Sequence, residues 1–190
     1  KKVGYRSRAA WKLIQIDDRF GFLKPGRRVV DLGAAPGGWT QVAVERVKSK
    51  ISSVSGKVMA VDLVEFEAVD GAEHINLDMT DYNALRTLRD SLEGPVDVVL
   101  SDMAASTIGH RGTDHLRTVV LCEAAADFAF DVLKQNGAFV VKVFQGGAEE
   151  KLLQSLKLQF AQVKHVKPAA SRDTSPENYL VAMGFKPLRN

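Results

Sequence analysis

The stretch VVDLGAAPGGWTQ, Val29 to Gln41, carries a hydrophobic run into an acid and then into a loop of small residues. Gly33, Gly37 and Gly38 surround Pro36, and Trp39 stands directly behind them. Glycines at such a turn mean that the backbone approaches something closely, or takes dihedral angles that other residues avoid. The flanking sequence has to say what is approached.

Strand-like runs cover 28–33, 57–63, 73–78, 96–102, 138–144, 161–167 and 178–185. Several are nearly continuous in Val, Leu and Ala, the pattern of strands buried on both faces. Helical periodicity lies between them at 38–49, 81–92, 115–134 and 148–159, with a leading amphipathic helix over 7–20. In that first helix Trp11, Leu13 and Ile14 fall on or near one side. KQNGAF, residues 134–139, reads as a helix stop at Gly137 followed by a strand. The alternation predicts an α/β fold with a single, mostly parallel, seven-stranded sheet flanked by helices and right-handed crossovers. No repeat, low-complexity tract or separating linker is visible. We therefore expect one domain over 1–190, a basic helical segment (1–27) leading into a Rossmann-like core (28–190).

Composition is that of an ordinary globular chain, 45% hydrophobic and 26% charged over 190 residues. No apolar run approaches the roughly 18 residues of a membrane span. The single Cys122 excludes an internal disulfide and fits a reducing compartment. The net charge of +3 is unevenly spread: residues 1–28 hold nine Lys or Arg against Asp17 and Asp18. That basic end suits a polyanionic partner such as nucleic acid, or is simply a solvated helix end.

In open parallel sheets ligands bind beyond the carboxyl ends of the strands. There the glycine loop follows the first strand, Asp62 ends the second, Asp78 the third and Asp102 the fourth. An acid after the second strand can accept both ribose hydroxyls of an adenosine, and Asp78 can take the adenine amino group. No Lys-Ser or Lys-Thr pair follows the glycines, which excludes a P-loop. The spacing in GAAPGGW also differs from the dinucleotide fingerprint, and Pro36 removes an amide that a pyrophosphate would use. A nicotinamide-dependent oxidoreductase is disfavoured on the same ground. A phosphate-free nucleoside ligand remains, with S-adenosylmethionine the obvious one; a tight turn with no ligand is the plain alternative.

DLGAAPGGW, SDMA, FVVKVFQG and SRDTSPENYLVAMGFK together resemble the FtsJ-type ribosomal RNA methyltransferases, along essentially the whole chain. The resemblance implies a Rossmann-like, S-adenosylmethionine-dependent methyltransferase that methylates a uridine 2′-hydroxyl in large-subunit ribosomal RNA. It implies a catalytic group of Lys142, Lys12, Asp102 and Glu177, and cofactor contacts at Gly33, Gly37, Trp39, Asp62, Asp78 and Asp102. A ribose hydroxyl is a weak nucleophile, so the enzyme must position it and remove its proton. A lysine serves as base when burial or a neighbouring cation disfavours its charged form. Lys142 lies within the apolar AFVVKVF, and Lys12 could be the second cation, with Asp102 and Glu177 holding both amines.

Taken singly, these residues have ordinary explanations. Lys142 could snorkel to solvent, Lys12 decorate a helix, Asp102 cap a segment and Glu177 face water after Pro176. Trp39 reads on its own as packing the loop against the sheet. Pyrimidine C5 chemistry would need a cysteine nucleophile, whereas Cys122 sits in VVLCEAAADFAF as a small apolar filler. The four histidines lack metal-ligand spacing, so no metal is expected.

The loop ASTIGHRGTD, 105–114, departs from the family pattern after SDMA. Its His110 and Arg111 could touch RNA. Lys1, Lys2, Arg6 and Arg8 are expected to hold RNA phosphates without reading sequence. The resemblance implies ribosomal RNA as partner, free or within the large subunit, and we expect a monomer in a bacterial cytoplasm. Transfer RNA or a messenger cap as substrate, and a non-catalytic RNA-binding protein on the same fold, are the alternative readings.

Overall fold

The computed structural model describes residues 4–51, 53–54, 56–105, 109–144, 149–172 and 174–187, without the Arg111 side chain. Lys1 and Lys2 lie outside the described residues. Five strands run parallel: β1 (Arg28–Leu32), β2 (Lys57–Asp62), β3 (Glu73–Asn76), β4 (Val96–Ser101) and β5 (Leu133–Phe144). The last two, β6 (Phe160–Val166) and β7 (Glu177–Phe185), complete a seven-stranded sheet in the order β3-β2-β1-β4-β5-β7-β6. β7 lies antiparallel to both β5 and β6. The order reverses at β1, so the mouth between β1 and β4 is the topological switch point at which such sheets bind ligands.

Helices α3 (Tyr82–Ser91), α4 (Arg111–Val132) and α5 (Glu149–Gln159) cover one face of the sheet. They bury Val30, Leu32, Val99, Phe139, Val141 and Leu180 together with their own apolar sides. Helices α1 (Ala9–Phe20) and α2 (Gly38–Val47) cover the other, where Val29, Val98, Leu100, Val140 and Tyr179 meet Leu13, Ile16, Trp39 and Val42. The basic leading segment is thus part of the packed body through α1. Its core stripe is Ala10, Leu13, Ile16 and Asp17. Trp11, expected near the buried side, is 53% exposed. Trp11 shares a side with Ile14, three positions on, but the buried stripe runs along the far side of the helix, and Ile14 is itself only half-buried.

The expected stop at Gly137 is also displaced. α4 ends at Val132 and β5 begins at once with Leu133. Val96 pairs with Leu133 and Val98 with Ala138, so 134–137 are taken up as an irregularity of the ladder. Asn136 takes a left-handed φ of 64° there, and Lys134 Nζ lies 3.2 Å from Asp97 on the neighbouring strand. The polar KQN run reads as a loop because its side chains face water, while its backbone already belongs to the strand.

Gly33 explains one glycine of the first loop. Its φ is +74°, and a Cβ there would stand 2.5 Å from Met103 Cγ and 3.0 Å from the Met103 main chain. The segment leaving β4 passes directly over the end of β1, where Asp102 N–H donates to Leu32 C=O at 3.2 Å. Gly33→Ala therefore combines left-handed strain with a backbone clash. We expect it to lower stability by about 2 kcal/mol or more, read as a shift in urea midpoint. Wild-type stability in the variant would mean that β1 and β4 do not meet this closely.

Candidate active site

Asp62, the last residue of β2, accepts the Ala35 N–H on Oδ2 and the Val64 N–H on Oδ1, both at 2.9 Å. It thereby ties the glycine loop to the loop that leaves β2. Asp78 stands two residues beyond β3 and accepts from the Thr80 N–H and hydroxyl, which lowers its pKa. Gly33, Asp62, Asp78 and Asp102 all line one cavity of about 560 Å³, with Leu63, Met103 and Leu121 among its apolar walls. Its volume falls within the roughly 300–1,000 Å³ of small-molecule sites.

Gly37 and Trp39 do not line this cavity. The Trp39 ring is 3% exposed, donates Nε1–H to Ala9 C=O at 2.8 Å, and lies 5.6 Å from the Tyr179 ring. It packs α2 against α1 and the sheet, as its surroundings alone suggested. Gly37, at φ +107°, leaves room for Val69 and the Arg6 guanidinium, and a side chain at Gly38 would strike Ser7 Oγ. These two glycines make space for the N-terminal segment rather than lining the cavity.

Arg6 is correspondingly not free for RNA. Its Nη1 donates to Pro36 C=O at 3.3 Å and to Glu67 C=O, and its Nη2 donates to Ala68 C=O at 2.9 Å. Its own N–H donates to Gln41 Oε1 at 2.9 Å. The planar guanidinium fork thus clamps the loop after β2 onto the glycine loop. Arg8 is exposed, as an RNA contact requires. His110 is also exposed, with Nδ1 3.1 Å from Thr113 Oγ1; the Arg111 side chain lies outside the described residues.

The four expected catalytic side chains form two ion pairs. Lys142 Nζ donates to Asp102 C=O at 2.8 Å and stands 3.3 Å from Asp102 Oδ1. Lys12 Nζ donates to Glu177 Oε2 at 2.8 Å. Asp102 and Glu177 therefore hold one amine each, where the sequence suggested that both might share the task. Lys142 is 7% exposed and does not snorkel; the β5–β7 register sets Tyr179 directly opposite it. Tyr179 donates its hydroxyl to Asp102 Oδ1 at 3.1 Å. Burial and the nearby Asp102 and Glu177 charges push that hydroxyl well above its usual pKa, so it acts as a fixed donor. Burial raises the Glu177 carboxyl, but the Lys12 hydrogen bond and the charges of Lys142 and Lys12 outweigh it, and its pKa falls.

Tyr179 was missed as a site residue, since an aromatic in an apolar strand carries no signal beyond core packing. Asp31 was missed too. It is fully buried, accepts the Thr40 hydroxyl on Oδ2 at 2.7 Å, and has no partner on Oδ1. Burial raises its pKa against the Thr40 hydrogen bond, and the charges of Asp102 and Asp62 raise it further, to about 7. Cys122 is buried, with its thiol pushed up to about 12, as befits a filler. No cluster of metal-ligating side chains occurs among the described residues.

A second cavity, of about 460 Å³, opens on the α1 side and is lined by Arg8, Lys12, Arg172, Thr174, Ser175 and Glu177. Asp102 thus borders the first cavity and Glu177 the second. Lys142 pairs with Asp102 and lies close enough to lower the Glu177 pKa.

Comparison with known proteins follows this geometry. The FtsJ-like methyltransferase family model matches residues 5–185. Ribosomal RNA large subunit methyltransferase E of Cereibacter sphaeroides is 57% identical over 189 residues, spanning 98% of this chain and 78% of that protein. The protein of the same name from Paramagnetospirillum magneticum is 55% identical over 186 residues, spanning 98% and 76%. A crystal structure of a candidate ribosomal RNA methyltransferase from Plasmodium falciparum superposes with a TM-score of 0.82 at 29% identity, over 96% of this chain and 100% of that one.

Two outcomes test this geometry. Folded Asp31 keeps its proton up to about 7, while the unfolded chain releases it near 4. Unfolding therefore releases a proton between these values, and stability falls as pH rises through that window. Between about pH 5 and about pH 8, Asp31→Asn should lose about 2–3 kcal/mol less stability than wild type in urea titrations. Equal losses would mean that Asp31 is ionised in the fold. Arg6→Ala should speed amide hydrogen exchange across residues 63–72, and Arg6→Lys should not restore protection. Unchanged exchange there would return Arg6 to the solvent-facing surface.

Proposed function

The chain belongs to the FtsJ-like methyltransferases, and from that premise we propose that it moves the methyl group of S-adenosylmethionine onto a ribose 2′-hydroxyl of large-subunit ribosomal RNA, with Lys142 as general base. The observation that carries the reading is the placement of Lys142 between two cavities, through Asp102 on one side and near Glu177 on the other. The amine itself lines neither cavity but stands behind the acids that border them, between a cofactor in the first and a nucleophile in the second. The names of the relatives support ribosomal RNA as the substrate. The choice of a uridine rests on the family resemblance.

The first cavity fits the cofactor in its donor set. Asp62 would accept from the ribose hydroxyls of its adenosine, and Asp78 would face the adenine. Gly37 and Trp39, which stand outside the cavity lining, would serve the cofactor indirectly: Gly37 by the left-handed turn that starts α2, with its N–H given to Ala34 C=O, and Trp39 by anchoring that helix to α1. When bound, S-adenosylmethionine supplies a methyl carbon on a sulfonium, whose sulfur leaves as a neutral thioether.

The chain's own groups do the rest. Arg8 and Arg172 lead the RNA backbone into the second cavity. Lys12, fixed by Glu177, orients the ribose at its mouth. Asp102, held by Tyr179, keeps Lys142 Nζ aimed at the hydroxyl. As general base Lys142 acts from its neutral amine, its ammonium having first released a proton to solvent; Nζ then takes the hydroxyl proton as the oxygen–carbon bond forms, leaving no charge on the ribose oxygen. We read residues 1–190 as one methyltransferase domain, acting as a monomer in a bacterial cytoplasm on ribosomal RNA, free or within the large subunit. No helix among the described residues is long and apolar enough to cross a membrane.

Methyl-labelled S-adenosylmethionine, incubated with naked large-subunit RNA, large ribosomal particles or transfer RNA, tests the reading after digestion to nucleosides. We expect label in 2′-O-methyluridine from one of the first two. Lys142→Ala should lower kcat by about 100-fold or more, and Lys142→Arg should not rescue it, since a guanidinium keeps its proton. A 2′-deoxy target should be inert. Label in a base, or turnover that survives in Lys142→Ala, would overturn the mechanism.

A further inference from the structure

We infer that Trp11 is a stacking platform for an RNA base next to the target nucleotide, an inference that rests on the RNA reading above. Four observations converge on it. The α1 core stripe is complete without Trp11, which leaves its ring half in solvent. It follows Arg8 by three positions and so stands next to it on the helix surface, at the edge of the second cavity, which Arg8 lines. Arg8 and Arg172 in that cavity form no ion pair among the described residues, and can take the phosphates of an entering strand. The ring is also held in place. Tyr5 meets it edge-on, with centroids 5.4 Å apart at 85°, and the Tyr5 hydroxyl donates to Glu45 Oε2 on α2 at 3.0 Å.

A fixed indole on a basic rim is what single-stranded RNA uses: cations for the phosphates, a flat ring for an unstacked base. The enzyme has to draw one nucleotide out of its stack to reach a ribose hydroxyl. Trp11 would take the face that a neighbouring base loses, without reading its identity.

The test uses the full chain in steady-state methylation of large-subunit RNA and its particles. Trp11→Ala should raise the RNA KM by about tenfold, within the roughly 5- to 150-fold that one stacked base provides, with kcat and cofactor affinity changed by less than about twofold. Trp11→Tyr should recover most of the loss. Trp11→Leu, apolar but without a ring face, should not. The chain holds only two tryptophans, and Trp39 is buried, so a uridine oligonucleotide should quench the emission of wild type and spare that of Trp11→Tyr. A wild-type KM in Trp11→Leu, or methylation with Trp11 emission unmoved by RNA, overturns the stacking role and leaves the RNA reading standing. Intact cofactor binding with no RNA bound or methylated by wild type overturns the RNA reading itself, and the inference with it.

Discussion

A lysine in the middle of the sheet is the constraint around which the site is arranged. Lys142 lies on β5 with 7% of its surface exposed, where an unpaired ammonium would be costly. Asp102 meets it twice, by carbonyl and by carboxylate, and Tyr179 satisfies the same carboxylate from the opposite strand. The register of β5 and β7 makes this closure possible, since a shift of one residue would turn Tyr179 to the other face. Asp102 in turn sits one residue beyond β4, its N–H bound to Leu32 on β1. The ion pair and its partners therefore bridge the adjacent strands β1, β4, β5 and β7, and the first cavity borders them at Asp102.

The N-terminal segment braces the loops beside that cavity without lining it. Arg6 joins the glycine loop to the loop after β2, and Ser7 lies on Gly38. The Trp39 indole anchors the start of α1 through Ala9. The two glycines after Pro36 thus have a reason that no ligand needs to supply.

The sheet was legible in the sequence because its strands are long apolar runs broken by turn residues, and because acids mark where three of them stop. Asp62, Asp78 and Asp102 were found by that rule and do surround one cavity. What the pattern could not convey is which way a side chain turns. Trp11 and Leu13 are two residues and about 200° apart on the helix, so burying Leu13 turns Trp11 to water, and only the packing decides which of the two faces is buried. Arg6 and Arg8 are the same residue type two positions apart, yet one is spent on main-chain carbonyls and the other is exposed. Asp31 looked like the polar end of a strand, although it is fully enclosed beside Thr40. Long-range contact decided each case, and local composition carries none of that information.

Glu177 and Tyr179 escaped the strand-end rule for a more specific reason. That rule concerns residues that follow parallel strands, because all such strands deliver their carboxyl ends to one edge. β7 runs the other way, so its amino end reaches the same edge. Glu177, its first residue, is paired with Phe144, the last of β5. Tyr179 then falls opposite Lys142, and the segment before the strand, with Arg172 and Ser175, forms the wall of the second cavity. An antiparallel strand inserted next to β5 therefore brings a new loop to the ligand edge from the opposite chain direction. The parallel strands build the first cavity, and the reversed strand with the segment before it builds much of the second, so the chain direction of β7 is what gives Lys142 a cavity on each side.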